Sequence, residues 1–467
     1  MVDSIRTRWK TQKLFYRRLI FNLIIGLLCA VLLHSFDELP LLQQAEDDAI
    51  DWVMAMQLGT HPVQAVVPFA LLDIDEAVYR NWGEPLLIPR DKLLDIIRFA
   101  VSGNPALIVV DVDLSRLGQC HDHDLALVDF LKEYHGQGKP PIILPQLFRE
   151  PVEGESKRTL REPFFVRDLP SGSDTRVFLA SPLFEVDEND FRLRRWRLWE
   201  IASNQEVIPS VELLTVALLR KPHDPSSAFQ NVKQNIKRLD QAEAAPKPQH
   251  LINSTKIKIA NMKFDKGAEG IGQRILYSIP WTLQPGEIYP DNFVRRSVLP
   301  ITKKETSGNE QNPADQYSAQ CTPSSKATAM AHLDSSWLKD QVVVIGASFK
   351  ESRDIYATPI GQMPGAMVIV NAINSLYEHG PIKKPELYWI IPIEIVLIAI
   401  MSVAFAWFDS FLAMLISSIT VIMIMLPLSF YLFKYGVWLN FVIPLFIVDL
   451  YEIYTSFEEY RARARAS

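Results

Sequence analysis

The chain has little that points to chemistry in free solution. Its formal net charge is only −6, with no clustered basic face, which argues against a nucleic-acid binder. Three cysteines are present, and Cys29 lies inside an apolar stretch. Only Cys120 and Cys321 could pair in an oxidising compartment, and sequence alone does not show them to be close. No internal repeat is found. No nucleophile–base pair stands beside the acidic residues. The glycine motif Gly267-x-x-Gly270-x-Gly272 lacks the strand–helix context that a phosphate loop needs. Long apolar runs are missing from about 350 residues in the middle of the chain.

The apolar runs that do exist sit at the two ends. Leu19–Leu33 is almost wholly apolar, and Trp389–Tyr454 holds three long stretches broken at Asp409-Ser410 and Lys434-Tyr435-Gly436. The first span is short for a bilayer, which needs about 20 residues. Phe15, Tyr16 and Phe36 can extend it, and Arg17 and Arg18 can snorkel to the interface. Residues 1–18 carry Arg6, Arg8, Lys10, Lys13, Arg17 and Arg18 against Asp3, which places that end in the cytoplasm. The bulky exit Val31-Leu32-Leu33-His34-Ser35-Phe36 offers no small-residue cleavage site, so the span reads as an anchor rather than a signal peptide. The expected organisation is a cytoplasmic start (1–18), a first span (19–36), a periplasmic domain (37–388), spans at 389–408, 411–433 and 437–454, and a cytoplasmic tail (455–467). Arg461, Arg463 and Arg465 in the tail agree with the basic start.

Within the domain, Val66–Asp75 and Ala106–Leu114 are apolar runs ending in acids, with a helical pattern at Arg90–Val101 between them. Continuously apolar strands joined by a helix predict an α/β fold with a mostly parallel sheet buried on both faces. Further helices are predicted at Asp122–Tyr134, Pro209–Arg220 and Pro364–His379. Further strands are predicted at Pro141–Phe148, Phe191–Glu200, Ile275–Trp281 and Gln341–Ser348. The inserts 221–250 and 302–330 read as surface loops.

These segments resemble the CHASE type-2 family, the extracellular sensory domains associated with cyclases and histidine kinases. The resemblance is carried by Leu71–Ala100, by Ala106–Leu114 with Asp124-Leu125-Ala126, by Asp190–Arg197, and above all by Trp337–Leu376. That last segment holds Ile345-Gly346-Ala347, Asp354, Ala357-Thr358-Pro359, Pro364-Gly365 and Asn371 in the family's order. The three C-terminal spans are also similar to the family's usual trio. The resemblance implies a sensory module that normally precedes a cytoplasmic output domain. No kinase or cyclase motif follows the last span here, so the signal is expected to pass to a separate effector.

Candidate ligand or cation contacts are Asp73, Asp75 and Glu76 after one strand, Asp111 and Asp113 after another, and Asp354 with Thr358 before a helix. Strand C-terminal ends are where open parallel sheets bind ligands, and clustered carboxylates can hold a divalent cation. The plainer alternative is that these acids cap helices and satisfy loop N–H groups. His121 and His123 read as solvated, and Arg192, Arg194, Arg195 and Arg197 as a solvated strand. Glu394 and Asp449, with one proline per span at Pro392, Pro427 and Pro444, are candidates for intramembrane coupling. The expected protein is a non-enzymatic bacterial inner-membrane sensor, with homodimerisation possible. A scaffold subunit of an envelope complex is the alternative, and a tethered cation-dependent hydrolase a weaker one.

Overall fold

The computed structural model describes residues 15–17, 19–31, 39–60, 65–152, 157–169, 174–244, 257–259, 262–264, 273–283, 288–302, 333–385, 387–408 and 410–466. The basic residues before Phe15, Phe36, Asp409, Cys321 and nearly all of the 302–330 insert lie outside them. The chain divides into two compact units, Leu58–Pro381 and the flanking segments Met1–Gln57 with Ile382–Ser467. The sequence boundaries for the domain, 37–388, are wider than the first unit.

Six strands form the central sheet of the Leu58–Pro381 unit. They are β1 (Phe69–Ile74), β2 (Leu107–Asp111), β3 (Ile142–Pro145), β4 (Val177–Ala180), β5 (Phe293–Ser297) and β6 (Val342–Ala347). Their spatial order is β5-β1-β6-β2-β3-β4, and every neighbouring pair is parallel. β1 and β6 are buried at all six positions, as strands covered on both faces must be.

On one face lie helices α4 (Arg90–Ser102) and α5 (His121–Glu133), numbered after α1 (residues 19–31), α2 (Pro40–Thr60) and α3 (Glu76–Asn81). Leu93, Ile97, Leu127 and Leu131 join Leu72, Ile108 and Ile345 in one core cluster. Each such side chain stabilises the fold by about 1.5–3 kcal/mol. Helices α6 (Val211–Arg220) and α8 (Gly365–Glu378) pack on each other; α6 also meets β2 and β3, and α8 meets β6.

Five expectations are corrected. Ile275–Trp281 forms no strand: Ile275 N–H donates to Arg194 O at 2.8 Å, and from Leu276 to Ile279 the backbone is held by side chains of α8. Asn371 Oδ1 accepts from the N–H groups of Ser278 and Ile279, both at 2.8 Å, and its Nδ2 donates to Ile279 O at 3.0 Å. Ser375 Oγ accepts from Leu276 N–H at 3.1 Å. Phe191–Glu200 is not one strand: Leu193–Trp196 and Trp199–Ile201 pair with different partners, Phe184–Val186 and Val207–Pro209. Nor is it solvated throughout, since Arg194 is buried and ion-paired to Asp187 (3.3 Å) and Asp190 (2.6 Å). The 221–250 insert contains the 20-residue helix α7 (Pro225–Ala244), whose Ala228, Val232 and Ile236 repeat at helical spacing and are buried. His123 is buried rather than solvated, with Nδ1 3.5 Å from Asp91.

The other unit holds α1, α2, α9 (Leu387–Trp407), α10 (Ser410–Phe433) and α11 (Val442–Ala466). Tyr388–Trp407 and Phe411–Phe433 are long and apolar enough to cross a membrane. Helix α1 meets α9, with Asn22 Nδ2 donating to Ser402 O at 3.4 Å. Glu46 of α2 accepts from Trp438 Nε1 (2.9 Å) and Asn440 Nδ2 (3.0 Å) before α11. Pro392 and Pro427 lie inside α9 and α10, whereas Pro444 sits in the first turn of α11, where no intrahelical hydrogen bond is lost.

Replacing Asn371 with leucine leaves the N–H groups of Ser278 and Ile279 without their acceptor. The expected loss is roughly 2–5 kcal/mol, read as a lower thermal midpoint of the purified chain. An unchanged midpoint would show that the 273–281 segment does not depend on α8.

Candidate functional site

The loops after β1, β2 and β6 meet where these parallel strands end. In register, Asp73 of β1, Gly346 of β6 and Asp111 of β2 form one row across the sheet. Gly346 is the middle of that row because α8 begins directly above it. A side chain there would drive into Ala366 and also reach within 3.6 Å of Asp111 Cβ. Gly365 opens α8, and the Asp354 carboxylate lies over its α-carbon where any Cβ would collide.

Two carboxyls therefore converge at this end of the sheet. Asp111 has one oxygen, Oδ2, closed to solvent and without a hydrogen bond among the described residues. Burial first, and the nearby Asp354 second, push its carboxyl well above the usual range. Asp354 is pushed up to about 6 by burial, offset in part by hydrogen bonds from Tyr356 and from the Gly365 N–H. Burial and the two carboxylates in turn raise the Tyr356 phenol. The pair keeps a proton to higher pH than either carboxyl would alone.

The remaining sequence candidates are placed differently. Asp73 is buried and ion-paired to Arg295 Nη2 of β5 at 2.8 Å, while the Arg295 guanidinium lies 3.7 Å over the Trp281 ring. Burial raises its carboxyl, and hydrogen bonds from Ser348 and Arg295 work against that. Asp75 caps α3 by accepting from Val78 N–H at 2.9 Å. Glu76 pairs with Arg80 at 2.8 Å, one helical turn on. Asp113 accepts from Ser115 N–H at 2.8 Å and faces Arg161 at 3.3 Å. Thr358 donates its hydroxyl to Gly361 O across a tight hairpin. Among the described residues, no three His, Cys, Asp or Glu side chains converge as a metal-holding group. The acids at the strand ends are thus divided between caps, ion pairs and the Asp111–Asp354 pair, and do not form a cation cage.

Arg90 supports the same end of the sheet. It is 2% exposed, and its Nη2 donates to Asp113 O (3.2 Å) and Arg116 O (3.0 Å), holding the loop after β2. Asp124 sits 3.7 Å from Arg90 and accepts from Gly118 N–H at 2.9 Å. Cys120, in this stretch, is disulfide-bonded, while Cys29 is free. Sequence reasoning overlooked Glu212, a fully buried acid in the first turn of α6. Burial pushes its carboxyl up to about 8. Its signal was present as the single acid in the apolar segment Val211–Leu219. In the other unit, Glu394 is buried on α9 and Asp449 lies on an exposed face of α11.

The sequence matches the family model described as the CHASE2 domain over residues 24–407. No curated protein and no solved structure shows significant similarity to the chain.

The acid pair gives a pH dependence with a definite sign. Between pH of about 4 and 6 the pair binds more protons in the folded chain than in the unfolded chain, so its contribution to stability falls as pH rises through that window. The Asp354→Asn variant flattens the fall, and at pH 7 it is more stable than the parent by about 2 kcal/mol. Thermal midpoints measured from pH 4 to 7 check this. Parallel curves for the two proteins would refute the shared-proton assignment.

Proposed function

We propose that this chain, which belongs to the CHASE2 family of sensory extracellular domains, is a membrane-anchored sensor. The observation that carries the reading is the extent of the family match. It runs from residue 24, inside α1, to residue 407, the last residue of α9, so it takes in the whole sheet unit with an apolar helix at each end. The Leu58–Pro381 unit lies outside the cytoplasm, and α1, α9, α10 and α11 cross the inner membrane with both termini inside. The basic residues 1–18 and the three tail arginines support this orientation. Lipid would cover Ile395, Val396, Ile419 and Met423, which are otherwise exposed on α9 and α10. Helix α11 runs without a break from the apolar Val442 segment into the charged tail, a continuous rod suited to carrying displacement inward.

In this reading the domain has no turnover of its own. A ligand or partner that binds one of its conformations better than another shifts the population. The shift is passed through the helices to a separate effector protein at the cytoplasmic face. Turnover by the purified chain that disappears in Asp75→Asn or Asp111→Asn would overturn the non-enzymatic part.

Topology gives the direct test. Alkaline phosphatase inserted at Ser307 is expected to be active, and a fluorescent protein fused after Ser467 to fluoresce. An inactive phosphatase at Ser307 would sink the extracytoplasmic placement. Gentle solubilisation and capture through a C-terminal tag is expected to bring down a protein with a cytoplasmic signalling domain. A fixed set of envelope proteins without one would favour a scaffold role.

A further inference from the structure

Among the described residues, the edge of the sheet at β4 is open. The strand pairs with β3 on one side. On the other side, among the described residues, its extension is bridged at Ser181 and Ser210, where Ser181 N–H donates to Pro209 O and Val211 N–H to Ser181 O, both at 3.0 Å. Upstream of that bridge the two segments diverge, and a cleft of about 590 Å³ opens between β4, Val207–Pro209 and the start of α7. That volume falls within the range of small-ligand sites, about 300–1,000 Å³.

The register decides which backbone groups face the cleft. Ile142 N–H donates to Arg176 O and Gln146 N–H to Ala180 O, so the even-numbered residues of β4 serve β3. The peptide groups of Val177 and Leu179 then point away from β3. Thr175 Oγ1 donates to Val177 O at 3.2 Å, whereas Leu179 has no such partner among the described residues. An edge strand in this state is a template for another extended backbone.

The walls add three further features. Gln146, just past β3, lines the cleft and is 2% exposed, yet its side-chain amide makes no hydrogen bond among the described residues. Both hydrogen-bonding atoms of that amide are therefore left for whatever occupies the cleft. Phe178 and Phe229 line the cleft with ring centroids 5.4 Å apart, an apolar and aromatic wall. Lys233 and Glu206, also lining it, pair at 3.0 Å and are both partly exposed. They offer one charge of each sign.

We propose that this cleft binds a short peptide with free termini. Its backbone extends the sheet along Leu179, and one of its amides pairs with Gln146. An apolar side chain rests against Phe178 and Phe229, and the terminal ammonium and carboxylate exchange into the Glu206–Lys233 pair. This names the ligand class for the sensory reading above and rests on that reading only for its physiological consequence.

The test uses the full chain in lipid nanodiscs, with the tripeptide Ala-Phe-Ala as probe. Calorimetry is expected to show saturable binding. Affinity should fall about tenfold or more in Gln146→Met, which keeps the side-chain shape and removes the amide. A similar fall is expected for the N-acetylated, C-amidated probe and for Lys233→Met. Hydrogen exchange at the Leu179 amide should slow on binding, a signature that mere contact with the cleft walls does not produce. Matching thermal midpoints for parent and variants keep folding defects apart from lost contacts, and Phe229→Leu gives a second, milder probe of the wall. Absence of binding by the parent chain overturns the inference. So does binding that Gln146→Met and Leu179 exchange both ignore. In that last case the chain still detects a ligand, and only its location is wrong. The sensory placement fails separately, on the phosphatase insertion.

Discussion

The close seat of α8 on β6, at Gly346 and Ala366, is the contact on which the rest of the domain depends. Because Gly346 lacks a side chain, a helix buried from Gly365 to Leu376 can begin against the end of a central strand. Two arrangements follow from that approach. Asp354, lying over Gly365, is brought to the same end as Asp111, so the two carboxyls share one desolvated space. Further along α8, Asn371 and Ser375 reach the segment around Ser278 and accept from its N–H groups at Leu276, Ser278 and Ile279. One helix thus sets the electrostatics at its start and holds a strandless segment along its side.

This arrangement explains where sequence reading succeeded and where it did not. β1, β2, β6, α4 and α8 were legible because burial on both faces, or on one helical stripe, leaves an unbroken or periodic apolar pattern. β5 was not legible, because Phe293–Ser297 is an edge strand with Arg295 and Arg296 turned toward aromatic rings rather than into the core. β4 was lost because four residues carry too short a pattern. Ile275–Trp281 misled for the opposite reason. It has strand-like apolar residues, but after Ile275 the hydrogen-bond partners of its N–H groups at Leu276, Ser278 and Ile279 are side chains of a helix distant in sequence.

The candidate site shows the same division. The prominence of Asp73, Asp75, Glu76, Asp111 and Asp113 was visible in the sequence, but their partners were not. Spacing cannot tell a cap such as Asp75 from an ion pair such as Asp73 with Arg295, since the second joins strands more than 200 residues apart. Gln146 carries no motif at all. Its interest comes from lining a cleft at the sheet edge, a property that exists only once the strands are assembled.

The strand order also has a kinetic consequence. β6 lies between β1 and β2, and its partner residues in β1 are about 270 residues away in the chain. Until β6 emerges, β1 and β2 have no central neighbour, and the early helices can cover only half-built layers. Such high contact order predicts slow closure and a long-lived intermediate with open strand edges. A chain synthesised from its N-terminus must keep that intermediate from aggregating until the last strand inserts.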